Sequence, residues 1–247
     1  MTYCIGLKLN EGLVLLADTR TNAGVDNISR YRKLFTWERP GERVIALMTA
    51  GNLSITQGVV NKLNRAIARA EQGEEIETIL SAETLFRVAQ IVGNAMSALQ
   101  KQHRHAIREQ GGGADASIIV AGQRKGGRHR LFMVYTAGNF IEATVDTPFF
   151  QLGEHKYGKP ILDRIVTMNT SLPIAVKAAM VSMDSTLRSN LSVGMPLDLL
   201  VAKTDALSFA VQRRIQADDP GYQTVSRTWS AALRTAFESL PEISDAY

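Results

Sequence analysis

A single cysteine among 247 residues, Cys4, leaves no second thiol for an internal disulfide and none for a cysteine-based metal cluster, as expected of a reducing compartment. Long apolar runs are missing as well. No stretch approaches the roughly 18–20 residues that span a bilayer, and Glu11 and Asp18 fall in the first twenty residues, where a signal peptide would be basic and then apolar. The expectation is a cytoplasmic protein without a membrane partner. Aromatics are only 6% of the chain, and neither basic cluster, at 102–108 or 123–130, interleaves any. A nucleic-acid partner is therefore not expected, and the second cluster, centred on Gly126-Gly127, reads as a solvated hairpin loop. The net charge of +4 is mild, and His103, His105, His129 and His155 lack carboxylate or cysteine partners at ligand spacing, so no metal is assigned. Linkers, repeats and low-complexity tracts are also lacking, and residues 1–247 are expected to form a single domain.

What is there is an ordinary stock of apolar residues, 45% of the chain, arranged with two periods. Alternation over 3–9 and an apolar run over 13–17 flank the turn signal Asn10-Glu-Gly12, predicting a hairpin that brings Asp18 close to Thr2. The polar segment 18–24 reads as a site-lining loop, residues 31–37 as a third strand carrying Lys33, and 43–49 as a fourth. From Leu53 the period lengthens. Ile55, Val59, Leu63 and Ile67 lie on one helical face, with Asn52 or Ser54 as the cap, and a second helix is predicted over 81–102. The glycine-rich 110–114 segment has no following Lys-Ser/Thr helix start, so it reads as a connector, not a phosphate-cradling loop. Short strands at 117–122, 130–135, 140–144 and 149–152, helices at 159–166 and 173–187, strands at 196–202 and 207–211 and a helix near 228–240 complete the order. Segregation into strands, two helices, strands, two helices and strands predicts an α+β fold, a four-layer αββα sandwich of two stacked antiparallel sheets with helices outside.

Thr2 is the residue with the most chemical potential. Removal of Met1 would give a terminal threonine whose Oγ can attack a carbonyl while its α-amine, with a free-chain pKa of roughly 7.7–8.0, takes the proton. Amide hydrolysis by such a residue needs a positive charge near Oγ, a carboxylate to hold that charge and an N–H for the developing oxyanion. Lys33, Asp18 and Gly51 are the candidates. Each also has a plain structural reading: Lys33 and Asp18 as a partly exposed ion pair worth under about 1 kcal/mol, Gly51 as a strand-to-helix turn.

Taken together, Thr2 with Gly6, Asp18-Thr-Arg20, Lys33 and Thr49-Ala-Gly51 resemble the motifs of proteasome β-subunits among the N-terminal nucleophile hydrolases. Met1-Thr-Tyr-Cys-Ile-Gly6, Arg20-Thr-Asn-Ala-Gly24 and Gly153-Glu-His-Lys-Tyr-Gly-Lys-Pro-Ile-Leu-Asp163 are most similar to the bacterial proteasome-type protease family called Anbu. The resemblance covers nearly the whole chain. It implies the αββα fold and threonine-type peptide hydrolysis, with Thr2 as nucleophile and base, Lys33 as electrostatic activator, Asp18 as its partner, Gly51 as oxyanion donor and Arg20 as a structural member of the site. It also implies a substrate pocket near Thr21, Thr49 and Leu53, a peptide or unfolded-protein substrate, self-assembly into rings or helical stacks, and no cofactor. Whether an ATP-driven unfoldase docks on the assembly stays open.

Two stretches depart from the proteasome pattern. Where a Gly-Ser-Gly serine supports the terminal amine in those subunits, this chain reads Leu152-Gly-Glu154. The Asp-then-Ser pair becomes Ser189-Asn-Leu-Ser-Val-Gly194, leaving Asn190 and Ser192 as the supporting candidates. Activation would rest on Met1 removal. Two further readings accompany the peptidase: a small-amide hydrolase of the same superfamily, and an assembly or scaffold protein with weak chemistry.

Overall fold

The computed structural model describes residues 2–22 and 28–242; Met1, 23–27 and 243–247 lie outside it, and with them Ala23 and Gly24 of the 20–24 motif. The chain opens with a hairpin, β1 (Tyr3–Leu9) and β2 (Gly12–Asp18), followed by two short strands, β3 (Arg20–Asn22) and β4 (Ile28–Arg30). Then come β5 (Leu34–Arg39), β6 (Arg43–Gly51), α1 (Leu53–Glu71), α2 (Leu85–Glu109), β7 (Ala116–Arg124), β8 (Arg130–Val134), β9 (Phe140–Glu142) and β10 (Phe149–Gly153). Helices α3 (Lys159–Ile165) and α4 (Leu172–Ser189), strands β11 (Leu197–Lys203) and β12 (Phe209–Ile215), and helix α5 (Pro220–Glu238) complete it. One antiparallel sheet runs β10-β1-β2-β11-β12, the other β5-β6-β7-β8-β9, and β3-β4 is a separate ribbon.

Alternation along the strands builds the layers, because successive side chains of a strand point to opposite faces. Tyr3, Ile5, Leu7 and Leu9 of β1 and Val14 and Leu16 of β2 pack with Ala175, Ala179 and Met183 of α4. Their neighbours Cys4, Leu13, Leu15 and Ala17 instead meet Val44, Ala46, Met48, Ile119 and Ala121 of the other sheet. On that sheet's outer face Ile45, Leu47, Ile118 and Val120 are covered by Ile55, Val59, Val88 and Val92 of α1 and α2. The result is the αββα sandwich expected from the element order. Gly6 faces the seam between the sheets, where a Cβ would lie 3.1 Å from Leu131 and 3.3 Å from Ile119.

Several boundaries differ from the sequence reading. Six strands precede the first helix, not four, because the polar segment after Asp18 pairs with residues 28–30 as the β3-β4 ribbon. The strand expected over 31–37 starts at Leu34, opposite Met48, so Lys33 stands just before it. Asn52 is the cap of α1, accepting from the N–H groups of Ser54 and Ile55. Helix α2 begins at Leu85, capped by the Thr84 hydroxyl, and runs through the basic 102–108 segment, since no breaker intervenes before Gly111 with φ +74°. The last helix starts eight residues before the expected 228, at Pro220, with Asp219 accepting from Tyr222 N–H at 2.9 Å. Strand β12 starts two residues later than expected and runs to Ile215. Among the described residues no helix is long and apolar enough to cross a membrane.

Candidate active site

The hairpin turn at 10–11 pairs Cys4 with Ala17, which returns Asp18 to the head of β1. There the Tyr3 N–H donates to Asp18 Oδ1 at 3.0 Å. The Arg20 and Gly194 N–H groups donate to Oδ2 at 3.1 and 3.2 Å. The Lys33 ammonium donates to Oδ1 at 2.6 Å and to the Arg20 carbonyl oxygen at 2.6 Å. Asp18 is fully buried and Lys33 is 3% exposed, so this is a buried ion pair and not the exposed one that was the plain alternative. Burial pushes the Asp18 carboxyl above its ordinary value; the Lys33 ammonium, followed by the N–H groups of Tyr3 and Gly194, pulls it back. An ammonium has three donors. Two of Lys33's are taken, leaving one for the cavity that Lys33 lines.

That cavity, about 320 Å³, is walled by Thr2, Thr21, Lys33, Thr49, Gly51 and Leu53, together with Ala50, Thr56 and Gly153. All the pocket residues named from the sequence therefore meet around Thr2. Thr49 is placed by its N–H, which donates to the Lys33 carbonyl oxygen at 3.0 Å, so the C-terminal end of strand β6 also fixes the lysine's backbone. Gly51 adopts φ +97°, and a Cβ there would fall 2.2 Å from the Asp115 carbonyl oxygen, so the turn into α1 admits only glycine. Leu53 follows as the first residue of α1.

Arg20 reaches away from the cavity: its Nη1 donates to the Leu191 carbonyl oxygen at 2.8 Å, and Gly194 lies against the guanidinium so closely that a Cβ would sit 2.2 Å from Nε. Asn190 and Ser192 do not line the cavity. Asn190 Nδ2 donates to Glu154 Oε2 at 3.1 Å, and Ser192 contributes its backbone N–H to Asn190 Oδ1 at 2.9 Å. Glu154 in turn donates its N–H to the Thr2 carbonyl oxygen at 2.7 Å, while the Lys156 N–H holds its carboxyl below the ordinary range. Before it, Gly153 adopts φ +77°, where a Cβ would lie 1.9 Å from the same Thr2 oxygen. Glu154, Gly153 and Gly194 had no role in the sequence reading. The unusual 153–163 stretch was the signal for Gly153 and Glu154, and the departing 189–194 stretch the signal for Gly194; the glycines of the former fit contacts with the N-terminal strand, as where a Cβ on Gly158 would be 2.2 Å from the Tyr3 hydroxyl. That hydroxyl is held by Ser182 Oγ at 2.7 Å and Gln151 Nε2 at 2.5 Å, and burial pushes its pKa up to about 12. Cys4, buried between the sheets with its thiol pushed up by burial, packs and is no nucleophile. Among the described residues no cluster of His, Cys, Asp or Glu could hold a metal ion.

No family model matches the chain, and no curated protein does. Solved structures do. Anbu (ancestral beta-subunit) from Yersinia bercovieri is 40% identical with a TM-score of 0.92, covering 99% of this chain and 100% of that one. Anbu from Hyphomicrobium sp. strain MC1 is 48% identical with a TM-score of 0.88, covering 98% and 99%. The helical assembly of the Anbu complex from Pseudomonas aeruginosa matches at 42% identity and a TM-score of 0.87, covering 99% of each chain. With likeness at this level over nearly its whole length, the chain belongs to the Anbu, or ancestral β-subunit, family.

Proposed function

We propose that this chain is the subunit of a self-compartmentalised threonine-type peptidase, with Thr2 as nucleophile once Met1 is removed. The observation that carries the reading is the buried Lys33–Asp18 pair at 2.6 Å, whose lysine walls the same small cavity as Thr2. The freed α-amine of Thr2 takes the proton from Oγ as Oγ attacks the substrate carbonyl. The Lys33 ammonium stabilises the negative charge building at Oγ, and Asp18 holds that ammonium in place. The Gly51 N–H donates to the oxyanion of the tetrahedral intermediate. Collapse returns the proton to the leaving amine and leaves an ester on Thr2, which water, activated by the same amine, then hydrolyses. Arg20, Asn190 and Ser192 act at one remove, through Leu191, Glu154 and the backbone around Gly194. Thr21, Thr49 and Leu53 form the wall against which a substrate side chain rests.

The subunits assemble as homo-oligomers in this reading, supported by the helical assembly of the Pseudomonas aeruginosa relative. A peptide or unfolded protein is the substrate. The cavity's modest volume, about 320 Å³, also suits a short acyl amide, the substrate of the second reading. Intact mass of purified protein lacking Met1, treated with an electrophilic peptide analogue, tests the proposal. One equivalent added at Thr2, absent from Thr2→Ala, is expected; processed protein left unmodified sinks it. Turnover of short acyl amides with peptides untouched would favour the second reading.

A further inference from the structure

Tyr3 follows Thr2 in the chain and has no exposed surface, yet its side chain ends in a hydroxyl. That hydroxyl lies in a hydrogen-bond chain whose direction the proton count decides. Ser182 Oγ donates to the Gly158 carbonyl oxygen at 2.9 Å, which uses its single hydrogen. The Tyr3 hydroxyl, 2.7 Å away, therefore donates to Ser182 Oγ, and it accepts from Gln151 Nε2 at 2.5 Å. Gly158 closes around the pair, since a Cβ there would lie 2.2 Å from the Tyr3 oxygen and 2.3 Å from Ser182 Oγ. One phenol thus ties β1 to β10, to the turn before α3 and to α4. Burial keeps it neutral, so its part is to hold and not to pass a proton.

The backbone end of Tyr3 reaches the reacting residue. A peptide group is planar, so the Tyr3 N–H and the Thr2 carbonyl oxygen move together. The N–H donates to Asp18 Oδ1 at 3.0 Å, the same oxygen that takes the Lys33 ammonium at 2.6 Å, and the Thr2 oxygen accepts from Glu154 N–H at 2.7 Å. The plane is held along both edges. Once Met1 is removed it is the only covalent link to Thr2, and a first residue frays unless it is tied down. A ring fixed at its hydroxyl sets where that plane lies, and with it how Thr2 Oγ meets the Lys33 ammonium.

We propose that Tyr3 is a positioning residue for Thr2, acting through its hydroxyl on the Thr2–Tyr3 peptide plane and so on the alignment of Thr2 with Lys33 and Asp18. The inference rests on the peptidase reading, and the test separates the two. The rate of Thr2 modification is measured on processed, folded protein against the concentration of an electrophilic peptide analogue, giving a binding constant and a limiting rate. In Tyr3→Phe the limiting rate is expected to fall roughly tenfold, because small misplacements of reacting atoms are costly. The binding constant stays within about twofold, since the wall of Thr21, Thr49 and Leu53 is untouched. Tyr222→Phe is the control. Its hydroxyl donates to buried Asp184 at 2.9 Å on α4, the helix that carries Ser182, and among the described residues it makes no hydrogen bond to β1. Loss of a buried phenol hydrogen bond lowers the urea midpoint of both variants, but only Tyr3→Phe slows the limiting rate and speeds hydrogen exchange of the residue 3 amide. Ser182→Ala removes the acceptor and keeps the phenol, so it carries the test even if Tyr3→Phe fails to fold; a slower limiting rate is expected there too. A parent left unmodified removes the peptidase reading and this inference with it. A modified parent with Tyr3→Phe or Ser182→Ala at the parent's limiting rate, or with Tyr222→Phe slowed as much as Tyr3→Phe, overturns the inference alone.

Discussion

Asp18 receives four donors on one carboxylate, two on each oxygen, in a place water does not reach. Such a pair is fragile to loss of one member, because the other is left charged and buried. Lys33→Ala is expected to destabilise the protein by about 3–5 kcal/mol, read as a lower urea midpoint, and to abolish modification of Thr2. Lys33→Met combined with Asp18→Asn removes both charges, so most of the stability returns while the modification does not. If the double variant is as unstable as the single one, the charge explanation fails. Gly153→Ala makes a second case at this scale. A Cβ there strikes the Thr2 carbonyl oxygen and φ is +77°, so the N-terminal residue must move. Loss of Thr2 modification, with hydrogen exchange of the β6-β7 ladder unchanged, is the outcome that checks it. Thr2, Asp18, Lys33 and Gly51 were legible in the sequence through their order and family resemblance. Glu154 was not, because its N–H acts on Thr2 and its carboxylate on Asn190, and neither partner is near it in the chain.

Among the elements, the long-period helices and the alternating strands were readable, and what blurred was where they end. The second helix was expected to stop at 102, since the residues beyond it are charged and lack an apolar stripe; backbone hydrogen bonding carries it to Glu109 regardless. The β3-β4 ribbon was invisible for a different reason: three-residue strands have too few side chains to show alternation. Loop-to-strand contacts show a further device at the other end of the sheets. His129, in the β7–β8 connection, donates from Nε2 to the Leu9 carbonyl oxygen at 2.7 Å, and its Nδ1 faces the Thr204 hydroxyl at 3.2 Å. Burial holds its pKa below the ordinary histidine value, and the Lys8 charge adds to this. In the acid range just below about pH 6.5, the unfolded chain therefore binds a proton that the folded chain refuses, and stability contributed by neutral His129 is lost as pH falls. His129→Gln is expected to flatten the dependence of the melting temperature on pH between that value and the lower folded pKa; an unchanged slope would assign the loss to other groups.

For the whole molecule, the charge is nearly balanced and the central strands β1, β2, β6, β7 and β11 are buried almost throughout, yet α5 stays open. Leu233 and Phe237 of α5 and Leu240 just past its C-cap follow helical spacing with 50%, 76% and 63% of their surface exposed. In the homo-oligomeric reading this stripe is covered by another copy. Leu233→Lys with Phe237→Lys is expected to shift sedimentation toward the monomer while leaving the urea midpoint within about 0.5 kcal/mol equivalent; an unchanged sedimentation profile moves the interface elsewhere. The layered architecture was within reach of the sequence alone, since a strand's period of two and a helix's of 3.6 are local properties that sort side chains to faces without reference to distant residues. What only the folded chain decided is which donors, four backbone N–H groups and the Lys33 ammonium, converge on Thr2 and Asp18. Those donors come from positions 3, 20, 33, 154 and 194, and they meet because two sheets and a connecting loop close around the N-terminus, a relation that no spacing along the chain encodes.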